Sequence, residues 1–166
     1  MASTPVTLKR SDLKHFLDTS STSTPTWSPI NLGVTAAQIS YNPTVLEEGY
    51  IADTAKTKEV ESVSPEMSLE FTIKKGDAVS DFIFSKIWDQ KVLGDSYSTL
   101  LTVRTAETAV DGAYPAMTQP VSISPQNLGN EAVTAAKMSV TLLFRGDPTY
   151  GTFKPSTSTF TATAAP

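Results

Sequence analysis

Hydrophobic and polar residues alternate most regularly over Met67 to Lys75, which reads MSLEFTIKK. Alternation with a period of two is typical of a strand that buries one face and exposes the other. After Gly76-Asp77, apolar residues recur every fourth position, which predicts a helix from about Ala78 to about Val92. Asp77 is the expected N-cap, because its carboxylate can accept hydrogen bonds from the free N–H groups of the first turn.

Turn-forming residues divide the rest of the chain into short apolar segments. We predict a strand in each of these segments: Leu8 to Leu17, Trp27 to Ile30, Val34 to Tyr41, Leu100 to Arg104, Pro120 to Ser124 and Ala132 to Phe144. A turn is predicted from Asp111 to Tyr114, where Asp and Gly interrupt the apolar pattern. Several strands and one helix together predict a mainly β fold.

Two long segments have no sustained period. Thr44 to Ser64 carries charges of both signs and is too long for an ordinary connection, so we predict a functional loop or an extended hairpin. Thr152 to Pro166 is rich in Ser, Thr, Ala and Pro, and we predict an extended C-terminal arm. Residues 1–7 form the expected N-terminal arm, and the whole chain, residues 1–166, is expected to be one domain.

The tripeptide Arg145-Gly146-Asp147 matches a known adhesion motif, but its context indicates a turn. It directly follows the apolar run Met138 to Phe144 and is closed by Pro148, as at the end of a strand. Gly76-Asp77 occupies the same place after the strand that begins at Met67. We therefore predict that both Gly-Asp pairs end strands and that the second has no adhesive function.

Composition excludes several classes of protein. The chain has 166 residues and no cysteine, which excludes a disulfide scaffold and thiolate chemistry. A formal net charge of -4 argues against tight binding to nucleic acid phosphates, which needs clustered Lys and Arg. The N-terminus has no apolar segment typical of a secretion signal, so we expect the protein to act without secretion.

The sequence shows no convincing catalytic or ligand site. His15 is the only histidine, and we interpret it as a partly exposed strand residue. Glu47-Glu48, Glu59 and Glu61 belong to a polar segment, where solvated or intersubunit roles are expected rather than acid-base or metal chemistry. No glycine-rich phosphate loop is present. We therefore expect neither an enzyme, nor a bound cofactor, nor a metal.

The two tryptophans could stack on a ligand, but their positions favour the core. Trp88 is on the predicted helix and Trp27 begins a predicted strand. Large aromatic side chains bury much apolar area, so we expect both to be internal.

An ordered series of segments resembles the major tail (tail tube) proteins of long-tailed bacteriophages. The resemblance extends from about Leu13 to Phe153 and has no single diagnostic motif. It is carried by Trp27 with Ile30, Gly33, Ile39-Ser40-Tyr41-Asn42-Pro43, Tyr50-Ile51, the alternating strand with Glu70, Gly76-Asp77 with the apolar helix, Tyr114-Pro115-Ala116, Val121-Ser122-Ile123, and Phe144 to Phe153.

The resemblance implies a β-sandwich or half-barrel with one flanking helix, and six copies per ring. Rings would stack into a hollow tube in the virion tail, through which the genome passes without specific binding. Assembly would take place in the host cytoplasm, and the implied partners are further copies of the chain with tape-measure, tail-initiator and tail-terminator proteins. No membrane partner is implied.

Two sets of residues are assigned hypothetical roles in such a tube. The Thr44 to Ser64 segment has apolar residues without an evident partner, and its expected inter-ring contacts are Val45, Leu46, Glu47, Glu48, Tyr50, Ile51, Lys56, Lys58 and Glu59. Hydroxyl-rich strand faces suit a water-filled conduit, and the expected lumen-facing residues are Ser68, Glu70, Thr72, Ser139 and Thr141. An ordinary solvent-facing sheet would show the same pattern.

Two other functions remain open from the sequence. An immunoglobulin-like or carbohydrate-binding β-sandwich module would have similar strand number and turn spacing. A tail-completion protein that forms a single ring is the other alternative.

Overall fold

The computed structural model describes residues 7–20, 24–51, 54–129, 131 and 134–163. The described part of the chain forms eleven strands and one α-helix, with short 3₁₀ helices at Arg10–Asp12 and Leu93–Ser96. The strands are β1 (Leu13–Asp18), β2 (Trp27–Pro29), β3 (Val34–Ser40), β4 (Pro43–Glu48), β5 (Thr57–Val63), β6 (Glu66–Thr72), β7 (Tyr97–Arg104), β8 (Tyr114–Gly129), β9 (Lys137–Phe144), β10 (Thr149–Lys154) and β11 (Thr159–Ala162). Helix α1 is Ala78–Trp88.

Nine of these strands form one antiparallel sheet that curls into a half-barrel. Its order is β2-β1-β7-β8-β9-β6-β3, and β10 and β11 extend it beside β8. The mainly β fold with one flanking helix is therefore confirmed, and of the two architectures expected the half-barrel is the observed one. Within the part of the chain that the structure describes, strands β4 and β5 pair only with each other.

Helix α1 covers the apolar face of the sheet, called here the core face. Asp77 caps the helix as predicted, with its Oδ2 accepting from the Ser80 backbone N–H at 2.9 Å. Val79 and Ile83 are fully buried against strand residues of the same cluster. Burial of each such side chain contributes about 1.5–3 kcal/mol. The strand members of the cluster are Leu17, Met67, Leu69, Phe71, Leu100, Val121, Ile123, Met138, Val140 and Leu142.

The helix is shorter than its apolar period predicts. It ends at Trp88 rather than Val92, and Gln90 has a positive φ of 51°, which the α-helix does not allow. Trp88 is 69% exposed, so the prediction that it lies in the core is wrong. It instead stacks on Phe84 at the surface, with ring centroids 5.8 Å apart. Trp27 is half-buried and packs against the second apolar cluster described below.

The C-terminal segment is not an extended arm. Strands β10 and β11 form a hairpin, and β10 pairs with β8, so the prediction for Thr152 onward is wrong as far as residue 163. Phe153 is 1% exposed and anchors a second cluster with Leu101, Val103 and Ala116. Its ring centroid lies 5.1 Å from that of Phe16. The sequence of this hairpin is mostly polar and shows no strand pattern. The hairpin is held to the sheet mainly by one buried aromatic residue, Phe153.

Strand β8 is the longest strand and was predicted only as Pro120 to Ser124. Residues 116–122 pair with β7 on one edge. On the other edge, residues 121–129 pair with β9 and residues 114–118 with β10. Its three prolines, Pro115, Pro120 and Pro125, obscure the strand pattern, since proline removes a backbone donor and is disfavoured inside sheets.

The remaining predicted boundaries differ by a few residues. β1 begins at Leu13 instead of Leu8, because residues 10–12 form a 3₁₀ turn. β9 begins at Lys137, and residues 132–133 of its predicted start lie outside the described residues. The predicted N-terminal arm also lies outside them, except for Thr7. Among the residues described, no helix is long and apolar enough to cross a membrane.

Candidate assembly surfaces

The described residues of the Thr44 to Ser64 segment form an extended hairpin, one of the two forms predicted for it. Strand β3 runs into β4 and β5 runs into β6, so β4 and β5 prolong the edge of the sheet outward. The Ser64 backbone N–H donates to the Tyr41 carbonyl at 3.0 Å where the two pairs of strands meet. Every residue of β4 and β5 is exposed, and no third strand of the described chain pairs with them.

The two faces of this hairpin differ in charge. On one face, Val45 pairs with Val60, and Glu47 pairs with Lys58 through an ion pair of 2.5 Å. On the other face, Leu46 is opposite Glu59, and Glu48 is opposite Thr57. Because directly opposite residues share a face, Glu48 and Glu59 lie together on a face without a lysine opposite them.

The tip of the hairpin is unusually apolar for an exposed turn. Tyr50 is 73% exposed and Ile51 is fully exposed, while Val45 and Leu46 are each more than 40% exposed. An isolated two-stranded hairpin is at best marginally stable in water, and exposed apolar residues favour a partner surface. The inter-ring role of these residues stays a prediction.

The five residues predicted to face a lumen lie on one face of the sheet. Ser68 is directly opposite Thr141, Glu70 is opposite Ser139, and Thr72 lies at the end of the same row of positions on β6. Their neighbours Met67, Leu69 and Phe71 point to the core face and helix α1. The five residues therefore share the opposite face of the sheet, called here the polar face, on the side away from the helix.

The polar face continues onto β8 and β3, which the sequence did not indicate. Ser124 is opposite Thr141, and the Asn127 Nδ2 donates to the Ser139 Oγ at 3.1 Å. On β3, Gln38 is opposite Ser68. Ser124 could have been found from its alternation with the buried Val121 and Ile123, whereas Asn127 lies beyond a β-bulge that shifts the register.

The Arg145-Gly146-Asp147 tripeptide is a turn between β9 and β10, as predicted from its context. Gly146 has a φ of 67°, which glycine adopts without strain. The buried Gln119 side chain holds the turn, with its Nε2 donating to the Gly146 carbonyl at 2.6 Å. The Arg145 guanidinium lies 3.5 Å from the centre of the Tyr97 ring. Gln119 was not singled out in the sequence, because a lone glutamine in a strand gives no signal.

His15 is buried, so the prediction of a partly exposed histidine is wrong. It is 6% exposed, and its Nδ1 lies 3.0 Å from the Thr102 Oγ1 on the neighbouring strand. Burial lowers the pKa of His15 to about 4, with a smaller contribution from the positive charge of Arg10. The imidazole is therefore neutral at pH 7 and forms part of the packed sheet.

The glutamates of the hairpin do not converge on a site. Glu47 pairs with Lys58, and Glu48 accepts from the Tyr50 hydroxyl at 3.5 Å. Among the described residues, no cluster of three or more acidic or histidine side chains could hold a metal ion.

No family model matches the sequence, and no curated protein matches it. Solved structures do resemble the fold. The SPP1 tail tube has a TM-score of 0.66 and 15% identity, over 87% of this chain and 78% of that chain. The chain has a tail tube fold.

Two gene transfer agent structures are also similar to this chain. The tail of an empty particle, determined with C6 symmetry, has a TM-score of 0.63 and 14% identity, over 87% of this chain and 98% of that chain. A chain of the native particle has a TM-score of 0.60 and 14% identity, with the same shares covered. The tail tube fold thus spans most of this chain despite little sequence similarity.

Proposed function

We propose that this protein polymerises as stacked hexameric rings into the hollow tail tube of a virion, through which phage DNA passes. The observation that carries the proposal is the tail tube fold itself, which matches the SPP1 tail tube over 87% of the chain. The sixfold symmetry of the gene transfer agent tail supports six copies per ring.

The polar face fits the wall of a DNA conduit. Its side chains are mostly hydroxyls and amides, which are solvated by water and do not bind phosphate groups tightly. Glu66 and Glu70 lie on this face, and Lys137 at its end is opposite Thr72. Cationic side chains would bind the phosphates of the DNA backbone and slow its passage. A face with few cationic side chains therefore allows DNA to move along the tube. Helix α1 then lies on the side away from the lumen.

The hairpin fits a contact between rings. It extends beyond the sheet, exposes apolar residues at its tip, and has no partner strand in the described chain. Ordering such a segment costs roughly 1–2 kcal/mol per residue, which extensive contacts with a neighbouring copy would offset.

The same proposal includes the partners and location of the protein. The tube would be built on a tail initiator, measured by a tape-measure protein and closed by a tail terminator. Assembly would take place in the host cytoplasm and the product would be part of the virion. The protein would act as a structural component without enzymatic activity.

Assembly as a function of concentration tests the proposal. The purified chain is measured by analytical ultracentrifugation and negative-stain microscopy, alone and with a tail initiator. Long hollow tubes are the expected product. A species that stops at one ring would instead indicate a tail-completion protein, and a strict monomer at high concentration would indicate a binding module.

A further inference from the structure

A groove lies between two open strand edges of the half-barrel. β2 pairs with β1 only from Phe16 onward, and the His15 carbonyl accepts from the Ile30 backbone N–H at 2.9 Å, so within the described chain only residues 13 and 14 have no chain beside them on that edge. Among the described strands β3 pairs with β6 alone, so no described strand lies along its other edge. The cavity between these edges has a volume of about 480 Å³ and is lined by residues of β1 and β3 and of the segment between β2 and β3.

The groove is basic, although the whole protein is acidic. Arg10 and Lys14 line it, and no carboxylate does. Both side chains are exposed, and neither forms an ion pair within the described chain. The Arg10 Nη1 donates to the Leu13 carbonyl at 2.5 Å, which holds the guanidinium beside the open edge of β1.

The hairpin has the opposite character. Its strands and the residues between them carry four glutamates and one aspartate against Lys56 and Lys58, a net charge of -3. Both lysines lie near Glu47, at 3.9 and 2.5 Å, so the charge of Glu47 is neutralised. Glu48 and Glu59, on the other face, form no ion pair within the described chain. That face, with Leu46, is called here the acidic face.

We infer that the acidic face of one copy's hairpin docks in the groove lined by Arg10 and Lys14 on a neighbouring copy. This inference rests on the proposed function and names the surface that accepts the hairpin. Charge complementarity selects the face, and the open backbone edge of β3 can accept an added strand. A third strand also gives the hairpin the pairing that two strands lack.

The contact is heterologous, because the hairpin and the groove are different surfaces of one chain. Each copy therefore offers one of each, and the contact can repeat without limit along an assembly. The contact also depends on salt, since exposed charges are screened over about 10 Å at 0.1 M ionic strength.

Charge reversal provides the first test. The variant Arg10→Glu/Lys14→Glu is compared with Lys75→Glu/Lys154→Glu, which makes the same charge change at exposed lysines outside the groove. Circular dichroism confirms folding. We expect the groove variant to need at least a tenfold higher concentration to form tubes, and the control to behave like the wild type. Adding Glu48→Lys/Glu59→Lys to the groove variant should restore assembly.

Cross-linking provides a second test that does not depend on the strength of assembly. Because the chain has no cysteine, Lys14→Cys and Glu48→Cys proteins can be mixed and oxidised, and any disulfide between the two variants joins separate copies. Glu48→Cys mixed with Lys154→Cys is the matched control. We expect a cross-linked dimer only from the first pair.

The outcomes separate the two proposals. A wild-type protein that never assembles overturns both. The docking inference is overturned if the wild type forms tubes, the groove variant assembles like its control, and both mixtures cross-link equally. The tube function then remains intact.

Discussion

The β10–β11 hairpin should be part of the folded core, and Phe153→Ala tests this directly. Phe153 is 1% exposed and contacts the ring of Phe16. Truncation of a buried phenylalanine to alanine removes its transfer free energy and leaves a cavity, which costs about 3–5 kcal/mol. For a chain of this length, each kcal/mol lowers the Tm by roughly 2–4 °C, so we expect a fall of roughly 6–20 °C.

The assay is thermal unfolding followed by circular dichroism, supported by urea denaturation of the unassembled protein. Thr161→Ala is the matched control, because Thr161 is exposed on the same hairpin and its loss should change stability by no more than about 0.5 kcal/mol. If Phe153→Ala changed stability as little as this control, the C-terminal segment would be an arm after all, and our account of the second cluster would be refuted.

Three further predictions concern the turn, the buried histidine and the hairpin. Asp147→Glu should leave the fold intact, and the wild type should show no integrin binding in a cell-adhesion assay; binding abolished by this change would contradict a purely structural turn. Because the pKa of His15 is about 4 when folded and 6.5 when unfolded, the unfolded state binds more protons, and stability should fall by up to about 3 kcal/mol as the pH drops from 6.5 to 4. His15→Gln should remove that part of the pH dependence in urea denaturation, and an unchanged slope would show that other groups cause it. Replacing the residues between Glu48 and Glu61 with a Gly-Ser bridge should give a folded protein or ring that no longer stacks, whereas normal tubes in the microscope would exclude the hairpin as the stacking element.

Local sequence signals predicted the elements that depend on local physics. The strand from Met67, the Asp77 cap and the turn at Gly146 each follow from alternation, capping or turn chemistry within a few residues. The polar face followed from the same alternation, since fixing which β6 residues are buried also fixes which are exposed.

Elements that depend on distant contacts were missed. Phe153 looks isolated in a polar tail, and only its contact with β8 and Phe16 makes that tail a hairpin. Trp88 has the spacing of a core residue, but the helix ends at that residue and leaves it exposed. The groove at Arg10 and Lys14 could not be predicted, because residues far apart in sequence meet there only when the sheet curls.

Electron cryomicroscopy of the assembled protein is the decisive test of the tail tube function. We expect a hollow tube of sixfold rings in which Ser68, Glu70 and Ser139 line the lumen and helix α1 lies away from it. A reconstruction in which the helix lines the channel, or a preparation that forms no tube even with a tail initiator, would contradict it.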